Sequence, residues 1–416
     1  MSETAAMTSL DMTFVRSQFP AFAQDLTASH AFFENAGGSY PCAQVVDRLH
    51  RFYTERKVQP YGPYPAAQAG GAEMDEARAR LAAMMGVAGP QVSFGPSTSA
   101  NTYVLAQAVR RWLRDANAAI VVTNQDHEAN SGVWRRLADE GIEVREWQID
   151  PVTGSLDPAG LAALLADGRV KLVAFPHCSN VVAEINDVAA ICEIARAAGA
   201  RTVVDGVSYA PHGFPDFPSL GCDVYLFSAY KTYGPHQGIM VITEDFGAEL
   251  PAQCHSFNAG SLYKRFTPAG PDHAQIAACA GMADYIDALH AHHFAPQADA
   301  AARNRAVHGL MRAQEVAAVA PLLDYLAARN DLRLLGPRRA EDRAPTVAVA
   351  FDRAAEPISE ALGREGIACW AGDFYAVRPL EAMGIDLGRG VLRMSLAHYT
   401  SAEDVARLIT ALDRVL

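Results

Sequence analysis

The sequence lacks most of the marks that would assign it to a specialised class. No run of about 18 uncharged apolar residues occurs, so no membrane-spanning helix is expected. Lys and Arg total 35 against 47 Asp and Glu, a formal charge of −12, and the basic residues are not clustered. Nucleic acid and anionic membranes are thereby disfavoured as partners, since both require clustered cations. The seven cysteines, Cys42, Cys178, Cys192, Cys222, Cys254, Cys279 and Cys369, include no C-x-x-C pair. That excludes a zinc-ribbon pattern, a metal site is not expected, and the odd number argues against a disulfide framework. The opening MSETAAMTSLDM has neither the basic start nor the apolar stretch of a signal peptide, so a cytoplasmic protein with reduced thiols is expected. Repeats, low-complexity tracts and linker-like Ser/Gly runs are missing as well. Neither G-x-x-x-x-G-K-[ST] nor a strand-linked G-x-G-x-x-G is found, which weakens a nucleotide-binding reading.

What is present is a chain of 416 residues, 50% hydrophobic, with a regular texture. Between Gln91 and Thr243, β-rich runs alternate with helical ones: QVSF (91–94), AAIVVT (118–123), IEVREW (142–147), KLVAF (171–175), RTVVD (201–205), DVYLFS (223–228) and GIMVIT (238–243). Strands alternating with amphipathic helices predict an α/β fold with a mainly parallel sheet covered on both faces. After residue 295 the spacing predicts a long Ala/Arg-rich helix interrupted near Pro321, then a strand at 346–352, a helix near Ile358–Glu365 and a loop from Cys369 to Val377. A strand at 391–396 and a last helix started by Ser401 with Glu403 and Asp404 complete a smaller α+β unit.

In open α/β sheets, ligands bind at the carboxyl ends of the strands. FSAYKTYGPHQG puts Lys231 at one such end, and RTVVD puts Asp205 at another. A pyridine-ring cofactor needs that division of labour, an amine to hold its aldehyde and a carboxylate to keep the ring nitrogen protonated. Strand 118–123 leads to His127, strand 171–175 to Asn180, and QVSF to Ser97, Thr98 and Ser99 at a helix start suited to an anion. Taken singly, each has a bland reading: a surface lysine, a salt-bridging aspartate, a structural histidine, a helix cap. Five strand ends carrying such groups together are hard to explain by structure alone.

These residues resemble the class V aminotransferase family, in the cysteine desulfurase-like branch of fold-type I pyridoxal-phosphate enzymes. DHEAN, CSNVVAEIN, VVDG and SAYKTYGP follow in family order, within a resemblance running from FFENAGGSYP near residue 32 to VLRMSLAHYT near 400. The resemblance implies an enzyme with pyridoxal 5′-phosphate as cofactor. Lys231 would form the Schiff base and later move protons at the substrate Cα, Asp205 would meet the pyridinium nitrogen, and His127 would stack on the ring. Thr98, Ser99 and Ser228 would hold the phosphate, and Asn180 would touch the cofactor O3′ or the substrate carboxylate. Ser208, standing where the family usually has Gln, and Tyr230, standing where it often has His, also fall among the cofactor contacts. Arg393, Asn35 and Tyr375 fall on the substrate side, Arg393 as a two-point partner of the α-carboxylate. The implied architecture is a large cofactor domain (30–294) with a seven-stranded sheet, a small C-terminal α+β domain (295–416), and an N-terminal segment (1–29) packing with the small domain. A homodimer is implied, with YGPYPAAQAGG and YKRFTPAGPDH near the neighbouring subunit's site. In the second stretch the family's Gly-Thr pair is not intact, with Thr267 nearby and Gly270 in place of the threonine.

One departure bears on the reaction. Matching Gly372 to the glycine of the small-domain loop places Tyr375 where cysteine desulfurases carry their nucleophilic cysteine, and Cys369 falls on the preceding strand. Without a thiolate there, a C–S or β-elimination lyase or an aminotransferase of a small amino acid is expected. Desulfuration or selenocysteine lysis with a displaced cysteine, epimerisation, decarboxylative or C–C bond chemistry, and a non-catalytic binding role stay open.

Overall fold

The computed structural model describes residues 9–113 and 117–416, so the first eight positions of the expected N-terminal segment lie outside it. The seven expected strands all form and join one sheet. Its spatial order is Val92–Gly95, Gly238–Ile242, Val224–Ser228, Arg201–Asp205, Val170–Pro176, Ala119–Thr123 and Glu143–Trp147. Only Gly238–Ile242 runs against its neighbours. Alternate side chains along each strand enter different cores. Val121, Val173, Phe175, Tyr225 and Phe227 belong to one, while Ile120, Val122, Leu172, Leu226 and Met240 belong to the other. Burial on both faces explains why these strands read as nearly continuous apolar runs.

A second core lies around a four-stranded antiparallel sheet ordered Trp370–Gly372, Val391–Ser395, Thr346–Phe351 and Leu332–Leu334. Ser401 and Asp404 form a reciprocal cap on the last helix, Ala402–Val415, as expected. The N-terminal stretch meets this region, with Ala31–Phe32 pairing in parallel with Ile367–Ala368 and Arg16 bonding Asp404 at 2.7 Å. Among the described residues no helix is long and apolar enough to cross a membrane.

Two expectations need correction. The helix Ala300–Ala327 passes through Pro321 without a break. A proline inside a helix costs roughly 3 kcal/mol, but Val319, Leu322, Leu323 and Leu326 are all buried around it, and packing of that face outweighs the lost hydrogen bond. The expected loop from Cys369 to Val377 contains the strand Trp370–Gly372, and Cys369 sits at the break between two short strands rather than on one. There the chain leaves the two-stranded pairing for the four-stranded sheet.

Candidate active site

A cavity of about 890 Å³ opens between the carboxyl edge of the large sheet and the strand Val391–Ser395. Its wall includes Thr98, Ser99, His127, Asn180, Asp205, Ser208, Ser228, Tyr230, Lys231, Tyr375 and Arg393, so nearly every residue selected from the sequence reaches one space. Asn35 is the exception. Its Nδ2 donates to the Ser395 carbonyl at 2.8 Å and its Oδ1 accepts from the Tyr399 hydroxyl. It reaches only a small neighbouring cavity behind Lys231, shared with Ser208 and His212. Its amide is thus committed to joining the N-terminal stretch to the strand that carries Arg393.

At one end of the cavity, the helix Thr98–Trp112 begins under a Ser97 cap that accepts from the Ala100 amide at 3.1 Å. The Thr98 and Ser228 hydroxyls lie 2.7 Å apart. Two hydroxyls beside the free amides of a helix start form a ready anion cradle. Gly238 makes this approach possible, because a Cβ there would collide with the backbone of Ser97 and Thr98.

At the floor, Asp205 and Lys231 follow adjacent strands. One Asp205 oxygen accepts from the Val207 amide at 2.9 Å, and the other has no hydrogen bond among the described residues. Burial pushes this carboxyl up to about 6, and the nearby Lys231 only partly offsets it. Enclosure lowers the Lys231 amine to about 8; the charge of Arg393 adds to that effect, while Asp205 and Glu34 oppose it. Among the described residues the amine makes no hydrogen bond or ion pair. His127 accepts from the Ala129 amide through Nδ1 at 3.0 Å and caps the helix Glu128–Arg135. Burial, then Lys231 and Arg393, bring it down to about 3, so its ring is neutral.

Arg393 lies opposite, 3% exposed. Its guanidinium carbon stands 3.8 Å over the Phe374 ring and its Nη2 pairs with Glu34 at 2.7 Å. Asn180 donates to the Phe374 carbonyl at 2.9 Å, while its own Oδ1 is enclosed without a partner. Phe374 and Tyr375 both adopt left-handed backbone, at φ 54° and 56°. Such conformations are costly for non-glycine residues and persist where surroundings hold them. Here the holding contacts are the Asn180 bond and a 2.8 Å bond from the Glu128 amide to the Tyr375 carbonyl. Tyr375 itself is 70% exposed at the cavity mouth, its ring 5.5 Å from that of His127. The sequence reading missed Glu34 and Phe374; a charged residue inside FFENAGG was the available signal for the first.

These groups fit pyridoxal phosphate. A hydroxyl-lined helix start suits the phosphate, an uncommitted amine suits the aldehyde, and a buried carboxylate with a free oxygen suits a ring N–H. The orphaned Asn180 Oδ1 marks a further polar position that the protein alone leaves unfilled.

Comparison with known proteins agrees with the geometry. The family model for class-V aminotransferases matches residues 31–408. Aminotransferase-like protein FGM3 of Gibberella zeae is 30% identical, with 97% of this chain and 98% of that protein covered. A cysteine desulfurase of Serratia proteamaculans is 27% identical over 96% of this chain and 97% of its own length. Among solved structures, a cysteine desulfurase of Thermococcus onnurineus shares the fold at TM-score 0.84 and 22% identity, covering 98% of this chain and 99% of its own. One of Escherichia coli does so at 0.81 and 23%, covering 97% and 98%. The chain belongs to the class-V aminotransferase family, in its cysteine desulfurase-like branch, and is a pyridoxal-phosphate-dependent enzyme.

Proposed function

We propose that the enzyme acts on a small amino acid as a C–S or β-elimination lyase or as an aminotransferase, without passing sulfur through a cysteine of its own. The supporting observation is the cavity mouth, where the loop presents Tyr375. Cys178, buried on the wall, and Cys369, half-buried before the loop, are thiols pushed up by burial to about 12. A persulfide-forming cysteine needs a thiolate.

When bound, pyridoxal phosphate supplies an electron sink that weakens the bonds at the substrate α-carbon. Lys231 would hold the cofactor through its aldehyde. With an amine brought down to about 8, Lys231 then takes or returns a proton at the α-carbon near neutral pH. Asp205 would pair with the ring nitrogen, and neutral His127 would stack on the ring. Thr98, Ser99 and Ser228 would hold the phosphate, Ser208 and Tyr230 would enclose the cofactor, and Asn180 would offer its free Oδ1. Arg393 receives the substrate carboxylate.

The decisive experiment incubates the cofactor-loaded protein with a panel of amino acids, follows absorbance, and assays sulfide, ammonia, keto acid and carbon dioxide. Ammonia or keto acid without alanine-forming desulfuration is expected. The second reading, sulfur removal from cysteine, is favoured by the activity named for the bacterial relatives; sulfide together with alanine would establish it and overturn the first. The anchor is tested separately, since Lys231→Ala should abolish the borohydride-sensitive visible band.

A homodimer is also part of this reading. Tyr53, Tyr61, Tyr64 and Phe257 stand exposed within or beside the two stretches expected near a neighbouring subunit. Light scattering at the mass of two chains is the expected result. The division at residues 29/30 and 294/295 and a cytoplasmic setting belong to the same proposal; free, mostly buried cysteines are compatible with the latter.

A further inference from the structure

The Glu34 carboxylate stands in the substrate end of the cavity on the guanidinium that the proposed function assigns to the substrate. Glu34 Oε1 lies 2.7 Å from Arg393 Nη2. A guanidinium grips a carboxylate at two points either sideways, through Nε and Nη2, or end-on, through Nη1 and Nη2. Nη2 belongs to both grips through its two N–H groups, so Glu34, taking one of them, obstructs one grip and places its negative charge beside the other. The remaining donors are poorly used: Nη1 reaches the Asn180 carbonyl at 3.4 Å, and Nε is enclosed without a partner. Glu34 is itself held at one point only, since its Oε2 is enclosed and unpartnered. The contact therefore falls short of a full two-point pair on both sides.

The backbone makes a place for this carboxylate. Glu34 bridges to Ser395 in parallel, two residues beyond Arg393. Gly37 leaves its Cα bare beside Glu34 Oε1, where a Cβ would collide with the carboxylate. Phe374 covers one face of the guanidinium, and because the N–H groups point outward in its plane, a ligand carboxylate binds along the same edge directions that Glu34 uses. Two carboxylates on one guanidinium repel each other.

We propose that Glu34 is a specificity-determining residue, a resident carboxylate that competes with the substrate carboxylate for Arg393 and lowers the affinity of the site for simple α-amino acids. This rests on the reading that Arg393 binds the substrate carboxylate. Removing the charge while keeping the shape replaces the charge-assisted contact at Nη2 with a weaker neutral one that a ligand carboxylate can displace, and a charge-assisted hydrogen bond regained corresponds to about tenfold or more in affinity.

The test titrates cofactor-loaded wild type and Glu34→Gln with L-alanine and with ethylamine, the same amine without a carboxylate, reading the change in visible absorbance. Glu34→Gln should tighten L-alanine by about tenfold or more and leave ethylamine within about threefold. Glu34→Asp, which retracts the carboxylate by one methylene, should tighten L-alanine to a lesser degree and serves if the glutamine variant does not fold. Unchanged or weaker L-alanine binding, equal shifts for both ligands, or no response to L-alanine from any of the proteins overturns the proposal. Arg393→Gln separates the underlying reading: if it leaves wild-type L-alanine affinity unchanged, Arg393 is not the carboxylate receptor and that reading fails independently.

Discussion

Thr98 and Ser228, 130 positions apart in the chain, meet through hydroxyl groups 2.7 Å from each other at the wall of the cavity. Neither hydroxyl is needed to cap the helix beginning at Thr98, because Ser97 does that. Ser228→Ala should therefore cost little stability while weakening cofactor retention about 10- to 100-fold, the range of one hydrogen bond to a charged group. Titration of the cofactor-free protein with pyridoxal phosphate, read by absorbance, measures the first effect against thermal melting for the second.

Gly238→Ala tests the same cradle from beneath. Its Cβ would press on the Ser97 and Thr98 backbone, which has no flexible end to yield. Overpacking of this kind costs about 1–3 kcal/mol. The variant should melt earlier and lose cofactor more readily than Ser228→Ala, although it removes no polar group.

Asp126 gives a pH prediction for the cofactor-free protein. Burial pushes its carboxyl up from 3.8 to about 8; hydrogen bonds from Thr123 and Asn130 and the charge of Arg135 oppose this, and Asp205 adds to it. A group whose folded pKa lies above its unfolded one contributes stability that is complete below the unfolded value and is lost as pH rises through the folded value. Asp126→Asn should consequently gain stability relative to wild type as pH rises from about 4 to about 8. Melting temperatures of both proteins across that window check the sign; a constant difference would refute it.

Cysteine reactivity separates the chemical readings without any substrate. With thiols pushed up to about 12, Cys178 and Cys369 are almost wholly protonated at pH 8. Iodoacetamide should label Cys254 before Cys369, which is also only half-buried but holds its proton, and leave the buried Cys178 unmodified until the protein unfolds. Rapid labelling of Cys369, read by peptide mass spectrometry, would point to a reactive thiol beside the loop.

The large sheet was legible because its strands are buried on both faces, so runs such as AIVV and LVAF carry apolar residues without interruption. Lys231, Asp205 and His127 were legible because a charged or imidazole residue directly after such a run is a local signal. Ala31–Phe32, Ile367–Ala368 and Trp370–Gly372 were not, since strands of two or three residues carry no periodicity and exist through their partners. Asn35 and Glu34 are adjacent, yet the sequence selected the one whose amide is spent on Ser395 and Tyr399. Which neighbour faces the cavity depends on the register against Val391–Ser395, a long-range choice.

The Glu34 and Arg393 side chains meet across 359 positions. During synthesis from the amino end, Lys231 and Asp205 leave the ribosome well before Arg393 does. The Lys231 and Asp205 side of the cavity is thus complete in sequence while the partner of Glu34 has yet to be translated. Completion of the cavity waits for the last strand among the described residues, Val391–Ser395, so partial translation products would lack the wall that Arg393 forms.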